Sequence, residues 1–306
     1  MPVIDVETLF HQLNGSEGSG FPAIHSPIHN SPGGTLYLLK PGVVLLARPT
    51  VNIGGLQGFL NGFDPSLHFT EYLDDPTKLP DGAQLCKVAG QVCYMSFGPK
   101  RTFNEHAERY FNNLKSAGHG SVFEHATFSL LLYGISRSVT HELVRHRAGF
   151  GYSQLSQRFV SGRMLRFVER PEYQEDEGLH AQFLERIERT ASEYAALTNR
   201  LLELQQAGVS ILSAEARTDL RKKVQQAARS VLPNETEAPI VITGNARAWR
   251  HVIEVRADAH AETEIRELAV RIFLCLCLVD PVLFSDYRVE QLPDGTYTVK
   301  TEFEKV

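Results

Sequence analysis

The chain has 306 residues, 42% of them hydrophobic and 22% charged, with a formal net charge of −5. That balance suits a soluble globular protein of one large domain or two modest ones, and no global basic field argues for nucleic-acid binding. Cys86, Cys93, Cys275 and Cys277 form no CxxC pair and no disulfide-like framework, no apolar run reaches the roughly 18 residues of a membrane span, and no basic leader precedes an apolar stretch, so the expected compartment is the cytoplasm.

Glycine and proline crowd residues 1–62, where irregular structure is expected, with a strand at 43–46 bounded by Pro41-Gly42 and Pro49. The run 33–42, GGTLYLLKPG, supplies its predicted hairpin partner, and 61–82 carries DP, DDP and LPDG turn signals. The pairs Gly33-Gly34 and Gly54-Gly55 match neither GxxxxGK[ST] nor GxGxxG, so they read as turns. Residues 1–82 thus read as an appended extension of loops and strands, and 83–306 as the main domain. From residue 83 helical periodicity strengthens. Phe103, Ala107, Tyr110, Phe111 and Leu114 share a helix face ending near Gly118. Residues 126–133 read as a buried strand, which leaves HGSVFEH, 119–125, in the turn before it. Ile135, Val139 and Leu143 recur at four-residue steps and predict a helix capped by Ser136 or Ser138, with Gly149 just past its end. A second strand is predicted at 163–167, a long helix over 179–206 and a shorter one over 215–231, stopped by Pro233. A strand at 240–243, a helix over 245–260 capped by Asn245, and a core helix through 265–276 ended by Asp280-Pro281 complete the chain. Strands separated by long helices predict an α/β fold of the α+β type, with a central mixed or antiparallel sheet flanked by long helices.

The chemistry concentrates in residues 141–159, HELVRHRAGFGYSQLSQRF. His141, Arg145, His146, Arg147 and Arg158 crowd there with the hydroxyls of Ser153 and Ser156, and no acid follows Glu142. Arg145, His146 and Arg147 fall in the predicted last turn of the helix, followed by a loop bearing glycine and serine. Backbone N–H groups, hydroxyls and arginine forks are the donors that bind phosphate. Cations near a helix C-terminus also complement its dipole, an account that carries more weight for Arg147 alone than for the set. Further on, Arg229 in AARSVLP wants an anionic or carbonyl partner. Arg247, Arg250, His251, Arg256 and His260 follow along the next helix, with Glu254 and Asp258 as ordinary salt-bridge partners. HELVRH has Arg145 where HExxH requires histidine, and a zinc site built on His119, His125 and His141 would sit among arginines, so no metal is expected. No GxSxG occurs. Cys93 reads as a small buried residue, and Cys275 and Cys277 as core packing.

Arg145-His146-Arg147, an eight-residue gap and then Ser156-Gln157-Arg158 resembles the signature of the flavin-dependent thymidylate synthases, where the gap is usually seven. HGSVFEH resembles that family's HxTPFEH turn. AARSVLP around Arg229, the NxR triplet at Asn245 to Arg247 and RADAHAE from Arg256 follow in family order, so the similarity covers roughly residues 85–280. It implies reductive methylation of dUMP to dTMP, with methylenetetrahydrofolate as carbon donor and FAD reduced by NADPH, in a homotetramer with shared active sites. By this resemblance Ser121, Glu124, Arg145, His146, Arg147, Asn245, Arg247 and His251 hold FAD, and Gln154 serves both cofactor and substrate. Glu142, Arg145, Leu155, Ser156, Gln157 and Arg158 bind dUMP, with Ser156 and Arg158 on its phosphate. Arg229 and Arg256 face the uracil; Arg256, favouring ionisation at N3, and His119, near the flavin, are the catalytic residues implied. The chain departs from the family pattern in its longer gap, in Glu142 for the common Gln, Gln154 for a frequent Glu, His251 for a frequent Asn, and Val122 for the turn Pro. A nucleotide- or phosphate-binding protein without catalysis and a histidine-based metal hydrolase stand as other readings.

Overall fold

A six-stranded sheet and one apolar helix hold this molecule together; the computed structural model describes residues 4–159, 164–208, 217–304 and 306. In chain order the elements are α1 (Val6–Gln12), β1 (Gly15–Gly18), β2 (Phe21–Ile24), β3 (Ile28–Asn30), β4 (Leu36–Leu38), β5 (Gly42–Ala47), α2 (Gln57–Leu60), α3 (Asp81–Tyr94) and α4 (Ala107–Ser116). There follow β6 (Thr127–Tyr133), α5 (Arg137–Leu143), β7 (Phe150–Gln154), β8 (Phe167–Val168), α6 (Glu177–Gln206) and α7 (Arg217–Ala228). The remainder comprises β9 (Ile240–Asn245), α8 (Ala246–Arg256), α9 (Thr263–Val279), α10 (Pro281–Phe284), β10 (Tyr287–Gln291) and β11 (Tyr297–Thr301).

The large sheet runs β1-β2-β5-β6-β9-β7, and every neighbouring pair is antiparallel. On β6 the period of two sends Phe128, Leu130 and Leu132 into the core. Helix α9 packs there, buried from Glu264 to Cys277 except at half-buried Glu267. A helix apolar on nearly every side must be enclosed by protein, and α1, α8, β2, β5 and β11 enclose this one. The result is the mixed α/β fold expected from the sequence, with a large antiparallel sheet. Strands β1, β2 and β5, all from residues 1–82, extend the sheet of the later residues, and Leu9, Phe10, Ile24, Val43 and Leu45 join the core that holds Trp249 and Phe273.

Several local expectations change. The predicted 33–42 hairpin partner does not pair with β5, whose neighbours are β2 and β6. Its β4 pairs instead with β3 and, in parallel, with β8, because Tyr37 buries against Phe167, Phe183 and Ile187 in a separate cluster. The strand predicted at 163–167 is the short β8, with Arg163 outside the described residues, as are residues 215 and 216 of the helix predicted over 215–231. Helix α6 is as long as its period implied, with Phe183, Ile187, Thr190 and Tyr194 as its buried stripe. Helix α8 ends at Arg256, short of the predicted 260, so His260 does not lie one helical turn beyond Arg256; the His260 N–H donates to Asp258 at 2.9 Å. Among the described residues no helix is long and apolar enough to cross a membrane.

Candidate active site

Helix α5 is held at both ends by side chains. At its start Ser136 Oγ accepts from the Val139 N–H and donates to Glu264 Oε2 at 2.7 Å, while Glu264 Oε1 takes the Ser136 N–H at 2.6 Å. Its end comes sooner than the sequence implied, at Leu143, with Val144 as C-cap. The next N–H groups bond three residues back, Arg145 to Glu142 O at 3.3 Å and His146 to Leu143 O at 3.0 Å, which tightens the turn. The Tyr152 hydroxyl, shared between the carbonyls of Leu143 and His146, secures it. Arg145, His146 and Arg147 therefore sit in a turn beyond the helix rather than in its last turn. The expected Gly/Ser loop after them is strand β7, whose alternation turns Phe150, Tyr152 and Gln154 inward and Gly151 and Ser153 outward. Gln154 Nε2 donates to Thr140 Oγ1 at 3.1 Å. Between turn and strand, Gly149 has φ +76°, and a Cβ there would lie 2.8 Å from Asn245 Nδ2.

Helix α8 approaches from the other side. Asn245 caps it through Oδ1 on the Ala248 N–H at 2.9 Å, and its own N–H donates to Gly149 O at 3.2 Å. Arg247, His251 and Arg256 follow over ten residues, nine rises or about 13 Å of helix. Arg256 Nη1 donates to Glu142 Oε2 at 2.7 Å and its Nε to His146 Nε2 at 3.0 Å. Burial, then the charge of Arg256 and the proximity of His251, pull the His146 pKa down to about 4, so the ring is neutral near pH 7. Since arginine only donates, Nε2 is the acceptor and Nδ1 carries the proton. The His251 ring meets His146 edge-on, with centroids 5.5 Å apart. At the start of α8, Arg247 Nη1 donates to Glu124 Oε1 at 2.6 Å. Arg247 also lines a cleft of about 480 Å³ with Cys93, Tyr94, Tyr110, His119 and Ser121. A Cβ on Gly120 would come 2.7 Å from Arg247 Nε, so a larger residue there would push this guanidinium aside.

Two groups of the expected residues are thus assembled, Glu142, His146, His251 and Arg256 in one, and His119, Ser121, Glu124 and Arg247 in the other. Arg145 and Arg147 keep exposed heads, although Arg145 Nε also reaches His141 O at 3.3 Å. Leu155 donates its N–H to Pro239 O, and Ser156 Oγ accepts from the Arg158 N–H at 3.4 Å. Arg158 is exposed, its guanidinium 5.6 Å from the Phe159 ring centre. Gln157 is buried, and its Nε2 has no hydrogen-bond partner among the described residues. Arg229, half-buried, starts the turn after α7. Among the described residues no hydrogen bond or ion pair joins Arg158 or Arg229 to the Arg256 group.

Two sequence readings are corrected. Arg250, expected to pair with Glu254 or Asp258 among the cations of α8, turns inward instead; it is fully buried and forks onto Asp286 at 2.7 and 2.8 Å, with the carbonyls of Leu283 and Val306 completing its bonds. Cys93 is exposed in the cleft, at the end of α3, while Cys86, Cys275 and Cys277 are buried. Sequence reasoning missed Tyr152, Tyr94 and Tyr110. The alternation in FGYSQ was the available signal for Tyr152; Tyr94 had none, because α3 was not foreseen, and Tyr110, placed on the predicted helix face of α4, carried no signal that it lines a cleft. Among the described residues no three His, Cys, Asp or Glu side chains converge as a metal would require.

Residues 76–282 match the family described as thymidylate synthase complementing protein. The flavin-dependent thymidylate synthase of Mycolicibacterium gilvum (strain PYR-GCK) is 43% identical over 221 residues, covering 72% of this chain and 85% of the relative. Those of Mycobacterium tuberculosis (strain ATCC 25177 / H37Ra) and Mycobacterium leprae (strain Br4923) are 41% and 39% identical over 232 residues, each covering 74% of this chain and 90% of the relative. The chain belongs to this family, that of the flavin-dependent thymidylate synthases, and is an enzyme of that type.

Proposed function

We propose that this enzyme methylates dUMP reductively to dTMP in the cytoplasm, taking the carbon from methylenetetrahydrofolate. The observation that carries the reading is Arg256, held between the Glu142 carboxylate and a neutral His146. A guanidinium beside a pyrimidine stabilises negative charge as N3 loses its proton. In this reading Arg256 exchanges Glu142 for the uracil, and His146, being uncharged, orients the guanidinium without competing with its charge. Ser156 and Arg158 take the nucleotide phosphate, Arg229 faces the base, and Glu142, Gln154, Leu155 and Gln157 complete the substrate side.

The residues present fit a flavin dinucleotide. The cleft beside Arg247 is of cofactor size, Gly120 lines it next to that guanidinium, and the exposed Arg145 and Arg147 offer the forks that a pyrophosphate requires. Ser121, Glu124, Arg145, His146, Arg147, Gln154, Asn245, Arg247 and His251 would hold FAD, with His119 at its edge. When bound and reduced by NADPH, the flavin supplies the hydride chemistry that no side chain here provides. A cysteine nucleophile has no place in the scheme. That no hydrogen bond or ion pair joins Arg158 or Arg229 to the Arg256 group among the described residues supports an active site shared between chains of a homotetramer. So do Leu197, Leu201 and Leu204, which stay only half-buried along the outer part of α6.

The test is an absorption spectrum of the purified protein, followed through addition of NADPH and then dUMP with methylenetetrahydrofolate. Oxidised-flavin bands that bleach with NADPH, with dTMP formed on turnover, are the expected result. A colourless protein that takes up no added FAD would overturn the reading in favour of a bare nucleotide-binding protein.

A further inference from the structure

A second cavity, of about 470 Å³, shares no lining residue with the His119 cleft. It lies between α9, the turn at 171–175, the end of α1 and the turn joining β10 to β11. Its distinguishing feature is Arg271 of α9, only 6% exposed. The side chain makes one long hydrogen bond, Nη1 to Leu13 O at 3.4 Å, and no ion pair among the described residues. Four of its five N–H donors thus have no described protein acceptor. Burial pulls its pKa down against the raising effect of the nearby Glu267 carboxylate, and an arginine stays charged at any physiological pH. A buried guanidinium that lines a cavity with one long hydrogen bond, and with Glu267 nearby but not in ion-pair contact, is under-satisfied, and its planar fork matches a carboxylate.

The other charges around the cavity are already matched. Lys40 holds Glu267 Oε1 at 2.8 Å, Arg170 reaches Glu172 at 3.3 Å, and Arg266 reaches Asp294 at 3.1 Å. Glu175 is exposed to solvent. What is left inside is one cation and one acceptor, because the buried Glu267 Oε2 has no hydrogen-bond partner. Leu13, Val270 and Tyr297 add apolar wall. A ligand that satisfies both leftover groups carries an anion at one point and an N–H or O–H donor at another.

We propose that this cavity is a binding site for a small carboxylate with its own hydrogen-bond donor, an amino acid or hydroxy acid. Its carboxylate docks on Arg271 and its donor on Glu267. The inference does not depend on the proposed reaction, since the site lies outside the cleft and the Arg256 group.

The experiment is calorimetric titration and thermal denaturation of the full chain with L-glutamate, L-serine and L-lactate, with inorganic phosphate as the anion that lacks a carboxylate. At least one of the three carboxylates is expected to bind once per chain and raise the melting temperature, and phosphate is not. Arg271→Gln should weaken that binding by at least about tenfold while keeping the fold, read by circular dichroism. If Arg271→Gln does not fold, Leu13→Trp fills the cavity from its wall and leaves Arg271 in place; binding should again be lost. No binding by any carboxylate, binding of phosphate in their place, or binding that survives in the folded variant would overturn the proposal.

Discussion

Arg256, the last residue of α8, reaches back to Glu142, in the final turn of α5, with Nη1 and Oε2 2.7 Å apart. The two residues are 114 positions apart in the chain, and the pair ties the ends of two helices whose starts are capped by Ser136 and Asn245. His146 completes the contact by accepting from the same guanidinium.

Replacing Arg256 with alanine should reduce dTMP formation by about a hundredfold or more, since it removes the cation assigned to the negative charge developing at N3. Both partners are partly solvated, so the lost ion pair itself is worth only about 0–1 kcal/mol, and the variant should fold and retain flavin. Undiminished turnover in flavin-loaded Arg256→Ala would remove Arg256 from the mechanism.

His146 makes the protein acid-sensitive. Its folded pKa, about 4, lies below the ordinary 6.5, chiefly through burial and then through Arg256 and His251. The folded state therefore favours the neutral ring, a contribution present in full above about pH 6.5 and lost as pH falls through 4. His146→Gln, whose amide oxygen can still accept from Arg256, should show a shallower fall in melting temperature across that window. An unchanged profile would contradict this assignment.

Glu264 has the opposite sign. Burial raises its carboxyl from 4.5 to about 7, against the lowering effect of its two bonds to Ser136. Its stabilising contribution is complete below about pH 4.5 and is lost as pH rises through 7. Glu264→Gln should therefore gain stability relative to the parent between pH 5 and 8, by up to about 3 kcal/mol. Chemical denaturation at those two pH values measures it; a constant difference would refute it.

Cys93 is the exposed thiol of the cleft. Burial pushes the thiols of Cys86 and Cys277 up to about 12 and that of Cys275 higher still, which leaves them inert. Iodoacetamide should inhibit the parent enzyme by filling the cleft. Cys93→Ala should keep turnover within about threefold and lose that sensitivity, because no thiol attacks the substrate. Loss of activity in folded Cys93→Ala would overturn the claim.

Tyr152→Phe removes the hydroxyl that bridges the carbonyls of Leu143 and His146. The expected cost is about 1–2 kcal/mol of stability, with a raised KM for dUMP as the turn carrying Arg145 to Arg147 loosens. Identical stability and KM would show that the turn holds without it.

Much of this was legible in the chain alone. The buried strand at β6, the strand at β9, the Asn245 cap, the long α6 and the apolar α9 all announced themselves through period and capping chemistry, which are local properties. So did the crowding of cations in 141–159. The end of α5 did not, because the hydroxyl that closes it belongs to Tyr152, beyond the turn. Nor did β7, whose short FGYSQ run becomes a strand only where β9 offers a free edge. Cys93 misled because an apolar neighbourhood in sequence says nothing about which side of a helix meets a cleft.

By itself, the sequence determined the element types, the cap residues and the chemical inventory of the site, since each depends on neighbours within a turn or two of chain. Only the tertiary structure decided partnership. It joined β1, β2 and β5 to β6, sent Arg250 inward to Asp286 and Arg256 across to Glu142, and left Arg271 buried with a single carbonyl. Those outcomes rest on contacts between residues far apart in the chain, where charge, hydrogen-bond geometry and burial are settled together and no local pattern records the result.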